Sequence, residues 1–172
     1  MLENKDIIFF LQYLIAYLYS KIFNINHIDM IINEKNQGKL FLGDIISALD
    51  ENILDKNDIK VIINCSNDLP FIVSGNKYEI YRCGIDDISL NINKQIKKYK
   101  EIINTYLTLI NASLKEKKNV LIHCRNGMQR SATMIAAYLI KYLSFEKQNA
   151  IEYLKNKRWI CFKPYAIFDS LL

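Results

Sequence analysis

The chain has 172 residues, of which 51% are apolar and 24% charged, and its formal net charge is +5. That length suits one domain with its own core, and the composition excludes a disordered or fibrous chain. Five glycines and two prolines leave no low-complexity linker, and lysine supplies nearly all the charge without the dense basic run expected of a nucleic-acid binder.

The N-terminal stretch IIFFLQYLIAYLYSKIF (Ile7–Phe23) is very apolar. Glu3 and Asp6 offset Lys5 and no A-x-A-like site follows, so a signal peptide is not expected. A membrane span needs about 20 apolar residues, and Gln12, Ser20, Lys21 and several tyrosines interrupt this run. The reading is a helix, apolar nearly all round, that must be buried on most faces. Either the protomer covers it, or a second subunit does, by side-by-side packing or helix exchange.

HIDMIIN and KLFLG read as two short strands around the turn-prone EKNQG. DIISALDENIL follows as one short helix, with Ile45, Ile46, Leu49 and Ile53 on its apolar face. KVIINC (Lys60–Cys65) is a continuous apolar run, the pattern of a strand buried on both faces. SNDLPFIVSGNK is a loop, YEIYRC (Tyr78–Cys83) an alternating strand, and GIDDISLN a loop bearing the adjacent acids Asp86 and Asp87. Residues 93–117 carry apolar side chains at helical spacing, and NVLIHC is the next strand. Helical period returns after Gly127 with Ala132, Ile135, Ala136 and Leu139. Ser144 is the expected N-cap of the helix after it, and Pro164 is expected to open a last short helix to Leu171. Strands alternating with helices indicate a single α/β domain, in which ligands bind beyond the carboxyl ends of strands.

Cys124 lies at such an end, within HCRNGMQRS (His123–Ser131). Strand, loop and helix in that order place the loop at a helix N-terminus, where backbone N–H groups and the dipole attract an anion. Gly127 permits the tight curl. The same field lowers a thiol's pKa from about 8.5 to as little as 3.5–7.5, which makes Cys124 a thiolate nucleophile. Arg130 can bend over the loop and grip two phosphate oxygens with its planar fork. Ser131 can donate to the thiolate and help it leave. Backbone N–H groups of Arg125, Asn126, Gly127, Met128, Gln129 and Arg130 line the phosphate site. A movable acid from the Asp86–Asp87 loop would complete the chemistry. His123 is read as a residue that shapes the loop, His27 as a surface or strand residue, and Cys65 and Cys83 as core. A reversible disulfide from one of those thiols to Cys124 is left open. Cys65, Cys83, Cys124 and Cys161 contain no C-x-x-C pair, so neither a metal nor a disulfide scaffold is expected.

HCRNGMQRS matches H-C-x5-R-S/T, and with it the chain resembles the cysteine-dependent dual-specificity protein phosphatases. The resemblance extends to KLFLGDIISALDENIL with IKVIINCS, to SATMIAAYLIKY and to NAIEYLKNKRWICFKP, and so covers roughly residues 28–172. It implies the protein tyrosine phosphatase-like fold, a central mostly parallel sheet flanked by helices, over residues 25–172. It also implies hydrolysis of phosphate monoesters on protein Tyr and Ser/Thr through a phosphocysteine on Cys124. By this resemblance CGIDD aligns with the family's I-P-V/L-x-D. Gly84 then replaces the proline, and the acid falls on Asp87 rather than Asp86. No cofactor and no metal are implied. Phosphoinositide-directed relatives carry several lysines in the loop, and RNA 5′-phosphatases more often end R-T-G. Those two activities and a binding-only pseudophosphatase stand as alternatives. Within the family, the small poxvirus enzymes look most similar, in length and in their apolar N-terminal helix. That similarity implies a homodimer through residues 1–24, a phosphoprotein substrate and a cytoplasmic or virion location. The abundance of Ile, Asn and Lys fits a low-GC genome of viral or cellular origin.

Overall fold

A computed structural model of the chain describes residues 4–70, 77–86 and 92–172. Five strands form one sheet in the order β1-β2-β5-β3-β4. They are β1 (Ile28–Ile32), β2 (Leu40–Gly43), β3 (Ile59–Ser66), β4 (Glu79–Ile85) and β5 (Asn119–His123). Only β1 runs antiparallel to its neighbour, and the pairs β2–β5, β3–β5 and β3–β4 are parallel. The expected mostly parallel sheet is the one observed.

Period-two alternation assigns each strand residue to a layer. Val120 and Ile122 of β5, with Val61, Ile63 and Cys65 of β3, face α4 (Ile92–Lys115), α5 (Arg130–Leu143) and α6 (Lys147–Lys157). Leu121 and Ile62 face the other way, onto α2 (Ile45–Leu49) and α3 (Glu51–Lys56). Ile59 joins this second layer because the β3–β5 register shifts between Ile59 and Val61. The larger core lies on the α4/α5 side, where Tyr99, Ile110, Met134 and Ile135 are fully enclosed. Parallel strands buried on both sides explain why β3 and β5 are continuous apolar runs.

Three local expectations are corrected. DIISALDENIL is two helices, because Asp50 stands extended between them and accepts from the Asn52 and Ile53 N–H groups. Its carboxylate caps α3 and thereby ends α2. Ser144 is not an N-cap. It holds a left-handed conformation (φ 57°) at the C-terminus of α5, and α6 begins after Glu146. No helix opens at Pro164, and the only helical piece there is a 3-10 turn at Asp169–Leu171. The side chain of Gln129 takes the Lys163 and Tyr165 carbonyls at 2.9 and 2.8 Å and accepts from the Ile167 N–H at 3.2 Å. Those backbone groups are therefore withdrawn from a helical ladder.

The N-terminal helix is α1 (Asn4–Ile22). It packs on α2 and Leu69 through the stripe Phe9, Tyr13 and Ala16, which is i, i+4, i+7 spacing. Elsewhere it stays open, with Ile8, Phe10, Ile15 and Ile22 exposed by 56, 62, 59 and 74%. Packing within the protomer thus covers one stripe of α1 and not its whole circumference. Among the described residues no helix is long and apolar enough to cross a membrane.

Candidate active site

The carboxyl end of β5 delivers Cys124 directly into the loop that opens α5. The thiol is buried, 2% exposed, and the Ser131 hydroxyl donates to its sulfur at 3.1 Å. Ser131 itself sits on the first turn of α5, which no side chain caps at Gln129. The site therefore receives the positive end of a 14-residue helix. Arg130 is also enclosed, 1% exposed. Its guanidinium donates to the Ile85 carbonyl at the end of β4 at 3.1 Å, which fixes the fork between the loop and the start of the acid segment.

A loop that turns its N–H groups inward must turn its carbonyls outward, because the two ends of a trans peptide unit point in opposite directions. Buried carbonyls then need donors. Each one from Arg125 to Arg130 has one. Ile45 N–H reaches Arg125 O at 3.0 Å, Phe162 N–H reaches Met128 O at 2.9 Å and Thr133 N–H reaches Gln129 O at 2.8 Å. The Tyr99 hydroxyl reaches Arg130 O at 2.6 Å. Arg158 serves the remaining two, Nε donating to Gly127 O at 3.1 Å and a terminal nitrogen to Asn126 O at 3.0 Å. Gly127 has φ +63°, and a Cβ there would lie 2.6 Å from Gly43 O, so the curl needs glycine for both conformation and space.

Arg125, the extra base of the loop, meets Asp68 at 3.2 Å, and Asp68 also accepts from Gln12 of α1 at 2.9 Å. Burial raises the Asp68 pKa, but the hydrogen bonds from its own backbone and Gln12 and the charges of Arg125 and Arg130 outweigh it, and the net shift is downward. His123 is buried beneath the loop. Desolvation, with the Arg130 and Arg82 charges acting in the same sense, lowers its pKa from 6.5 to about 3. A hydrogen bond to the Cys124 backbone opposes this without offsetting it, so the ring is neutral near pH 7. His27, read from sequence as a surface or strand residue, stands just ahead of β1 and bonds Asp44 at 2.9 Å.

The acid segment is described up to Asp86. Gly84 adopts φ +67°, a conformation closed to proline, which accounts for glycine where the family pattern has proline. Asp86 is engaged by Gln95 of α4, whose amide donates to the carboxylate at 2.8 Å and accepts from the Asp86 N–H at 3.3 Å. That is a loop-shaping position. Asp87 lies outside the described residues. Cys65 and Cys83 are buried free thiols at the ends of β3 and β4. Burial, then a hydrogen bond that the Cys65 thiol shares with Cys83 and that favours its protonated form, raises the Cys65 pKa far above the usual thiol range.

The structure thus gathers Cys124, Arg125, Asn126, Gly127, Met128, Gln129, Arg130 and Ser131 at one loop. Sequence reasoning missed Arg158 as part of that assembly. A signal was present: the chain has only Arg82, Arg125, Arg130 and Arg158 among its 23 basic residues. All four stand at the carboxyl end of the sheet, Arg82 bonding the Ser66 and Asn67 carbonyls at 2.9 and 3.0 Å. A chain that uses lysine elsewhere keeps arginine where a fork is required.

Residues 40–171 match the model described as the dual specificity phosphatase catalytic domain. Protein phosphatase Slingshot of Drosophila melanogaster is 31% identical over 134 residues, 77% of this chain and 12% of its own length. A viral protein named as a tyrosine phosphatase, 123R of Invertebrate iridescent virus 6, is 33% identical over 90 residues, 52% of this chain and 63% of its own. The crystal structure of human DUSP28 superposes with a TM-score of 0.67 at 20% identity, covering 83% of this chain and 89% of that one. The chain spans only 12 and 17% of the first two curated relatives, Slingshot and the tyrosine-protein phosphatase vhp-1 of Caenorhabditis elegans. With the motif, the sheet and the loop geometry, these matches establish that the chain belongs to the dual-specificity phosphatase family.

Proposed function

We propose that the chain hydrolyses phosphate monoesters on protein Tyr and Ser/Thr residues, with Cys124 as the nucleophile. The observation that carries this reading is the Ser131 hydroxyl on the Cys124 sulfur at 3.1 Å, inside a loop whose carbonyls all bond outward. In the first step the thiolate attacks phosphorus, the ester P–O bond breaks, and Asp87 gives its proton to the departing oxygen. Arg130 and the loop N–H groups hold the three equatorial oxygens. In the second step water attacks the phosphocysteine, Asp87 takes a proton from it, and the S–P bond breaks with Ser131 donating to the thiolate that leaves. No step calls for a metal or cofactor.

Neutral Asn126, Met128 and Gln129 in the loop favour a phosphoprotein over a multiply phosphorylated lipid. A panel of phosphotyrosine, phosphoserine and phosphothreonine peptides, an RNA 5′-phosphate and a phosphoinositide, at equal enzyme concentration, tests that choice. Faster turnover of the lipid or the RNA would overturn it. Hydrolysis of p-nitrophenyl phosphate excludes the binding-only alternative. Replacing Cys124 by Ser is expected to abolish turnover and keep phosphate binding.

Residues 25–172 form the catalytic unit in this reading, and residues 1–24 an association element. The outward face of α1, with Ile8, Phe10, Ile15 and Ile22 in water, supports a homodimer, since a helix this apolar is stable in water only when most of it is covered. The four free thiols fit a reducing compartment, host cytoplasm or virion if the source is viral.

A further inference from the structure

We propose that Arg158 is a positioning residue that sets the inward aim and the donor strength of the phosphate loop, an inference that rests on the phosphatase reading of that loop. Arg158 follows α6, its side chain is 1% exposed, and its guanidinium bonds the outward carbonyl side of the loop, so it acts on a bound phosphate through the loop. Its Nε and one terminal nitrogen hold the carbonyls of Gly127 and Asn126, two consecutive units at the tip of the loop, at 3.1 and 3.0 Å. The peptide N–H groups on the far side of those two units belong to Met128 and Gly127. A cation that donates to a carbonyl polarises the peptide and strengthens its N–H as a donor. The two N–H groups at the tip are therefore both aimed and strengthened from behind.

The guanidinium is itself held. Its other terminal nitrogen pairs with Asp29 of β1 at 2.7 Å, and Asp44 lies at 3.9 Å. Asp44 is fixed in turn as the N-cap of α2, bonding Ser47 N–H at 3.0 Å and His27 at 2.9 Å. The Asn26 carbonyl, four residues past α1, accepts from the same nitrogen as Asp29. The tip rests directly on the fork: a Cβ at Gly127 would lie 3.0 Å from Arg158 Nε. Lysine carries the charge but offers one nitrogen, which cannot bridge two carbonyls and a carboxylate in a fixed plane.

The test compares the wild-type enzyme with Arg158→Lys. Both are assayed for p-nitrophenyl phosphate hydrolysis, for inhibition by orthovanadate and by inorganic phosphate, and for thermal unfolding. For folded Arg158→Lys we expect kcat to fall roughly 10- to 100-fold, the range for a reacting site displaced by about an ångström. Vanadate inhibition should weaken by a similar factor, and phosphate inhibition by less. A folded Arg158→Lys with wild-type kcat and vanadate inhibition, and only a lower Tm, would make Arg158 a purely structural residue and overturn the inference. If Arg158→Lys does not fold, Asp29→Asn carries the test, because it loosens the fork while Asp44 still balances the charge. A smaller loss in the same direction is expected there, and no loss overturns the inference. A wild-type enzyme that neither turns over nor binds vanadate contradicts the phosphatase reading itself.

Discussion

Ser131 and Cys124 are seven positions apart yet share one hydrogen bond, because the loop returns the chain to its own starting point. A hydrogen bond to a charged partner is worth about 1.5–3 kcal/mol. Ser131→Ala is therefore expected to lower kcat roughly 10- to 100-fold, and to make phosphocysteine accumulate in single-turnover experiments because the second step slows more than the first. Asp87→Asn is expected to lose roughly 100- to 10,000-fold with alkyl phosphates, and much less with a very acidic leaving group. Asp86→Asn should cost little in turnover, since Gln95 already engages that carboxylate. The reverse ranking, measured with both substrates, would move the acid to Asp86. His123 binds its proton more weakly in the folded chain, with pKa about 3 against 6.5. The unfolded state therefore takes up the extra proton between those values, and stability falls as pH drops through 6.5 toward 3 by up to about 1.4 kcal/mol per unit. Urea unfolding at stepped pH checks this, and His123→Gln should flatten the acid limb. At this scale Cys124, Arg130 and Ser131 were legible because one short loop carries them all. Arg158 was not, since its partners are backbone carbonyls 31 and 32 residues away, which leave no pattern of side chains to read.

Elements were legible where burial is symmetric or strictly one-sided. β3 and β5 carry unbroken apolar runs because helices cover both faces, and α4 buries one long stripe, from Tyr99 to Leu114. The misread elements are those decided by a single backbone angle or a distant side chain. Asp50 and Ser144 are both good N-cap residues by type, and nothing local says that one caps a helix while the other ends one. Ser144 takes the left-handed form because Leu139 O accepts from both the Ser144 and Phe145 N–H groups, a helix-ending pattern that favours glycine. Ser144→Gly is expected to stabilise the fold by about 0.5 kcal/mol, the relief of the left-handed cost less the added chain entropy. Asp50→Ala should destabilise it by about 1 kcal/mol through loss of the α3 cap. Urea midpoints at constant slope check both changes, and a neutral Asp50→Ala would mean that tertiary packing rather than the cap holds α3.

For the whole molecule, one sheet end collects the chemistry and one helix, α1, leaves much of its apolar surface exposed. α1 reaches the phosphate loop through Gln12 and Asp68 to Arg125, and the segment after α1 reaches the loop's support through the Asn26 carbonyl on Arg158. Association through α1 would therefore act on a helix already tied to the site. Ile8→Asp with Ile15→Asp places charge on exposed positions. It is expected to give a monomer by light scattering with its fold intact, and a dimer that survives would exclude α1 as the interface. The nucleophile is identified by quenching a single turnover in acid and measuring the mass of the peptide that spans residues 119–130. One phosphoryl group is expected on Cys124 in the wild type, a larger trapped fraction in Ser131→Ala, and none in Cys124→Ser, which should be inactive. Turnover by Cys124→Ser, or a phosphoryl group on any other residue during turnover, would contradict it.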